Sequence, residues 1–256
     1  MNKSEEFWDK ASKNYDKTEK GFEYIHKKAR ENTRKHLEDN HVVLDYGCGT
    51  GTASCEFASH VKKIHGIDIS SEMIRIAKEK ADVSKVENVI FEKADIFNNR
   101  YQNESFDVIL AFNMLHTVPN PQNVVQRIND LLMHDGLFIS ITPCLRQKMS
   151  FLVNLQIQLV RILCKFGIIP IPIRRIKSTD IDNLLAKGDF QAIESEEIFK
   201  GASSYFVAAK KINKTKQNKT KQNKTKQNKT KQAHVERPPH GYAVHCRLMR
   251  GVKDMS

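Results

Sequence analysis

The chain has few cysteines and no pairing pattern among them. Its 256 residues include five cysteines, an odd number, and none of them form a Cys-x-x-Cys pair. This count and spacing argue against a disulfide framework and a zinc site, so we predict free thiols in a reducing compartment and no metal ion. The first residues are polar and lack the apolar stretch of a signal peptide, and no run of about 18 apolar residues predicts a spanning helix. These absences favour a cytoplasmic protein.

Net basic charge is also small outside the C-terminal segment. The formal net charge is +12, but thirteen of the 42 Lys and Arg residues lie in 211–256, against two of the 30 acids. The rest of the chain is therefore nearly neutral, and charge does not support a basic nucleic-acid-binding face there. Asn-Lys-Thr-Lys-Gln repeats four times over 213–232 without an apolar residue, which predicts a disordered basic tail over 213–256. We expect nucleic acid to bind such a tail only non-specifically.

Apolar runs alternate with helical patterns over residues 1–212, the predicted folded domain. The predicted strands are 41–45, 61–68, 88–91, 106–112 and 136–141, and the predicted helices between them are 52–60, 71–81 and 123–133. This alternation predicts an α/β fold with a parallel sheet covered on both faces. Two further helices are predicted before it, within residues 1–40. Two last strands, 190–199 and 205–209, are predicted after it as a hairpin around Gly201.

The segment 145–188 interrupts this alternation. Apolar residues recur at helical spacing between residues 149 and 167, with polar residues opposite, which predicts an amphipathic helix. A short helix at 179–187 follows. Core packing is the favoured explanation of the apolar stripe. Peripheral membrane contact is the alternative, in which Arg161 and Lys165 would meet lipid headgroups.

A glycine-rich turn follows the first predicted strand. It reads Asp45-Tyr-Gly47-Cys-Gly49-Thr-Gly51. Glycines permit a tight turn and let a ligand lie against bare backbone. A dinucleotide-binding turn presents a helix N-terminus to a pyrophosphate, whereas Asp45 places a carboxylate here and favours a ligand with a cationic end. A role for Asp45 in capping the turn is the alternative.

Two further acids end the next two predicted strands. Asp68 lies 23 residues after Asp45, and Asp95 ends the third strand. A carboxylate at Asp68 can accept both hydrogen bonds of a ribose diol, although it could instead cap the following helix. Asp95 can contact an adenine amino group, and Ile96 beside it can cover the ring. Because successive parallel strands end at one edge of the sheet, we expect the three acids to line one crevice.

These motifs together resemble those of class I S-adenosylmethionine-dependent methyltransferases, in particular the small bacterial type that includes the quinone-biosynthesis methyltransferases. The matching motifs are Asp45-x-Gly47-x-Gly49-x-Gly51, Gly66-Ile-Asp68, Ala94-Asp95 and Phe106-Asp-Val-Ile-Leu-Ala-Phe-Asn113. The resemblance covers roughly residues 1–212. It implies a Rossmann-like, doubly wound, seven-stranded sheet that is mostly parallel with one antiparallel strand. It also implies that the insertion at 145–188 forms a lid over an acceptor pocket and that residues 1–40 form a cover.

The resemblance further implies which residues contact S-adenosylmethionine. The implied set is Tyr15 in the cover, Gly47 and Gly49 at the methionine part, Asp68 and Ile69 at the ribose, Asp95 and Ile96 at the adenine, together with Asp45 and Asn113. For Tyr15, simple packing is an equal alternative.

His116 is the candidate catalytic residue. Methyl transfer from a sulfonium is an in-line displacement, in which the protein aligns the acceptor and excludes water. His116, three residues beyond Asn113, could take a proton from a phenol or enol, although it could also serve only in packing. We therefore expect methyl transfer to a small, apolar or aromatic acceptor. An RNA-associated methyltransferase that uses the tail and a non-catalytic cofactor-binding module are the alternatives.

Overall fold

The computed structural model describes residues 3–212, which contain eight α-helices and seven strands. The helices are α1 Lys3–Ala11, α2 Tyr15–Glu19, α3 Glu23–Arg34, α4 Thr52–Phe57, α5 Ser71–Val83, α6 Pro121–Leu131, α7 Phe151–Lys165 and α8 Ser178–Lys187. The strands are β1 Val42–Tyr46, β2 Lys63–Asp68, β3 Val89–Lys93, β4 Phe106–Phe112, β5 Leu132–Pro143, β6 Phe190–Lys200 and β7 Ala202–Lys211. The predicted disordered tail over 213–256 lies outside the described residues. No helix within 3–212 is long and apolar enough to cross a membrane.

All seven strands form one sheet in the order β3-β2-β1-β4-β5-β7-β6. The first five strands are mutually parallel, and β7 runs antiparallel to both β5 and β6. Gly201, at φ +75°, joins β6 to β7 as the sequence predicts. The fold prediction is thereby confirmed. The strand order reverses between β1 and β4, which is where open α/β sheets form a ligand crevice at the carboxyl ends of the strands.

The position of β4 in the middle of the sheet explains why its sequence is continuously apolar. Val108 and Leu110 are fully buried on one face of the sheet, against the cluster that includes α3, while Ile109 and Ala111 are fully buried in the cluster on the other face. A strand covered by helices on both sides cannot alternate apolar with polar residues.

Several predicted elements and boundaries differ from the structure. The predicted pair of N-terminal helices is divided into α1, α2 and α3 by short 3₁₀ turns. The helix predicted to reach Met133 ends at Leu131, because Leu132 adopts an extended conformation (φ −72°, ψ 138°) and begins β5. Strand β5 therefore starts at Leu132, four residues before its predicted start at Gly136.

The N-terminal helices are held over the carboxyl edge of the sheet by two aspartates. Asp9 accepts hydrogen bonds from Ser70 Oγ (2.6 Å) and from the backbone N–H of Glu72 (3.1 Å) at the start of α5. Asp16 accepts one from Thr50 Oγ1 (2.5 Å) in the glycine-rich turn. These contacts make α1 and α2 a cover over that turn.

Gly51 in the turn is required both by its backbone conformation and by its packing. It has φ +75°, and a Cβ atom there would lie 2.6 Å from the Phe91 ring and 2.9 Å from the Ala77 side chain. Gly167, after α7, provides a comparison, because it has φ +71° but nothing within 4 Å of its added Cβ.

We predict that Gly51→Ala destabilises the protein more than Gly167→Ala. Backbone strain alone should lower the free energy of unfolding by about 1–2 kcal/mol in Gly167→Ala, whereas the clash should raise the loss to about 2–5 kcal/mol in Gly51→Ala. Urea denaturation of both variants measures the two losses. Equal losses would show that the Phe91 contact does not constrain the turn.

Candidate active site

A crevice of about 300 Å³ lies at the carboxyl ends of β1, β2 and β4. It brings together seven of the predicted cofactor-binding residues: Tyr15, Gly47, Gly49, Asp68, Ile69, Asp95 and Asn113. Its ionisable lining includes two carboxylates, Asp68 and Asp95, but no Lys, Arg or His of the described chain. We call it the acidic crevice. Its charge suits a cationic ligand and is unfavourable for a pyrophosphate.

Asp68 connects the end of β2 to the glycine-rich turn. Its Oδ2 accepts a hydrogen bond from Gly49 N–H (3.1 Å), and its Oδ1 accepts one from Ser70 N–H (2.8 Å). Burial raises the pKa of Asp68 from 3.8 to about 6, against the lowering effect of these hydrogen bonds. The N-cap of α5 is Ser70, whose hydroxyl accepts from Met73 N–H, so Asp68 is not the helix cap.

Asp45 lies on the inner side of the same turn. It is 2% exposed, and Ser54 Oγ donates a hydrogen bond to its Oδ2 at 2.5 Å. Burial, followed by repulsion from Asp68, raises its pKa to about 6. Asp45 does not line the acidic crevice but lines an adjoining pocket of about 290 Å³, which we call the inner pocket. Gly47 lines both spaces and connects them.

The third predicted acid lies in the acidic crevice, but its neighbour does not. Asp95 is exposed there, and its Oδ1 accepts a hydrogen bond from Phe97 N–H at 2.9 Å. The Ile96 side chain is fully buried in the same core cluster as Leu44 and does not line the crevice, so its predicted contact with the adenine ring stays a prediction. Met73 is among the residues that provide the apolar lining instead.

Asn113 is held in an uncommon backbone conformation at the end of β4. It has φ +57°, a region that asparagine tolerates better than most residues, and its N–H donates to Ile141 O (2.9 Å). Asn113 and Tyr15 line the acidic crevice, the inner pocket and a third cavity. Burial and the nearby Glu19 raise the pKa of the Tyr15 phenol, which therefore stays protonated at neutral pH. The three spaces meet at these two side chains.

The third space is an apolar cavity of about 430 Å³ beneath the insertion. Its lining combines one side of α7, the segment after it and the cover: Val153, Ile157, Val160, Ile169, Ile171, Ile173, Phe7, Trp8 and Phe22 are among the lining residues. No Lys or Arg within 3–212 lines it. The insertion therefore borders this cavity, and its role as a lid over an acceptor pocket stays a prediction.

His116 lines the apolar cavity without a hydrogen-bonding partner. Its Nδ1 is buried and has no partner within the described chain. Burial lowers the pKa of His116 from 6.5 to about 4, so the imidazole is neutral at neutral pH and gains a proton with difficulty. His116 lines the apolar cavity, and its buried environment disfavours the charged form that a base must adopt.

A second histidine, His26 on α3, was not predicted as a site residue. Its Nδ1 lies 2.9 Å from Glu19 Oε2, and its Nε2 lies 3.3 Å from Asn113 Nδ2. His26 lines both the inner pocket and the apolar cavity. Glu19 and His26 lie on different helices separated by a 3₁₀ turn, so no sequence motif marks the pair.

Comparison with known proteins identifies a family. The family model described as a methyltransferase domain matches residues 37–197, more than half of the chain. An uncharacterized protein of Methanocaldococcus jannaschii, MJ1252, is 34% identical over 134 residues, which are 52% of this chain and 49% of that protein. A ubiquinone biosynthesis O-methyltransferase of Glaesserella parasuis is 33% identical over 104 residues, covering 38% and 44%. The chain thus spans half or less of the length of these curated relatives.

A solved structure shows the same fold. Geranyl diphosphate C-methyltransferase from Streptomyces coelicolor A3(2), solved with Mg²⁺, geranyl diphosphate and S-adenosyl-L-homocysteine, superposes with a TM-score of 0.60 over 74% of this chain and 80% of that one. The two are 12% identical, so the likeness concerns the fold. The sequence-based recognition is confirmed, together with S-adenosylmethionine as the cofactor of this class. The chain belongs to the methyltransferase-domain family.

Proposed function

We propose that the chain transfers the methyl group of S-adenosylmethionine to a hydroxyl of a small apolar molecule. One observation carries this proposal: the acidic crevice, the inner pocket and the apolar cavity meet at Tyr15 and Asn113. A cationic nucleoside and an apolar acceptor held in these spaces would face each other there. Such alignment, with water excluded by the lid and the cover, is the main requirement of an in-line methyl transfer.

The turn and its carboxylates fit the cofactor. Gly47 and Gly49 line the acidic crevice with bare backbone. Gly47 also has to be a glycine for packing, because a Cβ there would lie 2.1 Å from Met114 Sδ. When bound, S-adenosylmethionine supplies a methyl group activated by its sulfonium charge. We assign Asp68 to the ribose diol, and Asp45 to the methionine part through the inner pocket.

Asp95 completes the cofactor assignment at the outer end of the acidic crevice. We assign its carboxylate to the adenine amino group. Ile69, which also lines the crevice, would pack beside the ribose. This order places the adenine near solvent and the methionine part beside the deeply buried Asp45.

The lining of the apolar cavity supports the acceptor class. One curated relative is named as a ubiquinone biosynthesis O-methyltransferase, and that name agrees with an acceptor hydroxyl on an apolar molecule. A diphosphate group would require cations, and no Lys or Arg of residues 3–212 lines this cavity. A phenol or enol fits better, because it presents one weakly acidic hydroxyl on an apolar body.

His26 is the base that we propose for such a hydroxyl. Glu19 accepts the hydrogen bond of His26 Nδ1–H, which fixes the tautomer with a lone pair on Nε2. In the free protein this lone pair faces Asn113 Nδ2 at 3.3 Å, so the acceptor hydroxyl would replace the Asn113 amide as the donor to Nε2. The acceptor oxygen attacks the methyl carbon as the carbon–sulfur bond breaks, and the hydroxyl proton passes to His26 Nε2. His116, which lacks an orienting carboxylate, then serves as cavity lining.

Removing the Asp68 carboxylate should weaken cofactor binding. We predict that Asp68→Ala raises the Kd of S-adenosylmethionine by about 5- to 150-fold, or about 1–3 kcal/mol, through lost hydrogen bonds to the diol. Calorimetric titration measures the change, and Asp82→Ala, an exposed carboxylate on α5, is the control. Binding of methylthioadenosine, which keeps the ribose but lacks the amino acid, should be weakened by Asp68→Ala to the same extent. An unchanged Kd would remove Asp68 from the site.

Cofactor affinity should also depend on pH. Asp45 and Asp68 have pKa values of about 6 in the free protein, and a cation binds better to their ionised forms. We therefore expect the Kd of S-adenosylmethionine to rise as pH falls below about 6, by up to about tenfold per pH unit for each proton taken up. Titrations between neutral and acidic pH test this.

Two comparisons isolate the charges responsible. S-adenosylhomocysteine lacks the sulfonium charge and should show a shallower pH dependence than S-adenosylmethionine. Asp45→Asn removes one titrating carboxylate and should flatten the dependence for the charged cofactor. If this variant kept the full wild-type slope, Asp45 would not contribute to cation binding.

The role of His26 can be separated from that of His116 by the acidity of the acceptor. We predict that His26→Ala lowers kcat about 100- to 10,000-fold for weakly acidic phenols and much less for phenols that are already ionised, with unchanged cofactor affinity. His116→Ala is the matched variant and should show no such dependence on acceptor acidity. If the dependence followed His116→Ala instead, His116 would be the base. Tight cofactor binding without turnover on any phenol would favour a non-catalytic module.

A further inference from the structure

The outer side of α7 is an exposed apolar surface. Fifteen large hydrophobic residues are exposed within the described chain, and seven of them lie between residues 151 and 168. They are Phe151, Leu152, Leu155, Leu159, Ile162, Phe166 and Ile168, with exposed fractions from 51% to 80%. We call these seven residues the outer lid face. Contiguous exposed apolar surface of this kind marks an interaction site.

Helical geometry shows that this face is distinct from the one over the cavity. At about 100° per residue, the six members of the outer lid face from Phe151 to Phe166 fall within an arc of about 100°. The residues over the cavity, Val153, Ile157 and Val160, lie on a separate arc. No residue of α7 is buried, so core packing does not account for the apolar stripe.

The segment that carries the outer lid face contains charges of one sign only. No Asp or Glu occurs between Asp135 and Asp180, while seven bases do: Arg146, Lys148, Arg161, Lys165, Arg174, Arg175 and Lys177. Arg161 and Lys165 are exposed on α7, on the polar side next to the apolar arc. An exposed apolar arc flanked by bases, without acids, is the pattern of helices that lie in the interface of an anionic bilayer.

We propose that the outer lid face docks on an anionic lipid bilayer. The fifteen residues of α7 span about 22 Å, less than the roughly 30 Å of a hydrocarbon core, so the helix lies along the surface rather than across it. The apolar side chains enter the acyl boundary, and Arg161 and Lys165 face the headgroups. The opposite side of the same helix lines the apolar cavity, so an apolar acceptor would enter that cavity from the bilayer. This route for the acceptor rests on the proposed function, whereas the docking does not.

Vesicle binding by the full chain tests the proposal. The probe is a set of phosphatidylcholine vesicles with and without phosphatidylglycerol, used at low salt and at about 0.5 M salt, where the Debye length is only a few Å and lysine-rich segments contribute little. We expect the wild type to bind the anionic vesicles and to retain part of this binding at high salt. At high salt, the partition coefficient of the double variant Leu155→Glu/Leu159→Glu should be at least about tenfold lower than that of the wild type.

The matched control adds the same charges to the same helix without touching the outer lid face. Asn154→Glu/Gln158→Glu lies on the polar side and should retain binding at high salt within about threefold. Equal binding by the two double variants would overturn the proposal, as would absence of wild-type binding at high salt. A wild-type dimer that Leu155→Glu/Leu159→Glu converts to monomers, without vesicle binding, would identify a self-association surface instead.

Calorimetry with S-adenosylmethionine separates this proposal from the proposed function. Both double variants change exposed or half-buried residues away from the acidic crevice, so their cofactor affinity should match that of the wild type. Vesicle binding that depends on the outer lid face supports docking even if the chain does not bind the cofactor. Cofactor binding without vesicle binding leaves the proposed function intact and overturns the docking.

Discussion

Two carboxylates on neighbouring strands, Asp45 buried and Asp68 half-buried, constrain the rest of the structure. Asp45 and Asp68 end β1 and β2, and burial raises both pKa values from 3.8 to about 6. Both pKa values are higher in the folded protein than in the unfolded chain. The two carboxyl groups therefore contribute to the free energy of unfolding below about pH 4, and this contribution is lost as pH rises through 6. At neutral pH the free protein therefore carries two ionised carboxylates at a cost in stability. A cation in the adjoining spaces would offset that cost, which is how binding sites commonly trade stability for function.

The backbone around these acids is determined by close packing. Gly51 leaves room for the Phe91 ring, and Gly66 does so from β2, where a Cβ would lie 2.5 Å from the same ring. The turn can then approach β2 closely enough for Asp68 to accept the Gly49 N–H. The carboxylate assigned to the ribose thus also holds the backbone assigned to the methionine part. Damage to either the packing or the carboxylate should therefore affect the whole cofactor site.

The sequence predicted what depends on periodicity and strand order, and missed what depends on side-chain direction. The alternation of strands with helices predicted the parallel part of the sheet, and two of the three acids, Asp68 and Asp95, line the acidic crevice. The antiparallel strand and most of the other predicted residues of the crevice were implied by the resemblance to a known family. The burial of Ile96 outside the crevice was not foreseen, because adjacency to Asp95 does not tell which way a side chain points after a strand ends. His26 was missed because its partner Glu19 lies beyond a helix break, where neither helical nor strand spacing relates two residues. The apolar stripe of α7 was recognised, but a stripe shows which residues share a face and not what that face contacts.

The lid has two apolar faces, and this requires two different environments. The arc with Val153, Ile157 and Val160 covers the apolar cavity, while the outer lid face has no cover within residues 3–212. A helix that only closed a pocket would need one apolar arc and could present polar residues elsewhere. On the proposed function, the second arc follows from the acceptor: a molecule that suits the apolar cavity partitions into lipid, whereas the charged cofactor stays in water. The acidic crevice and the lid would then draw the two reactants from different phases to the junction at Tyr15 and Asn113.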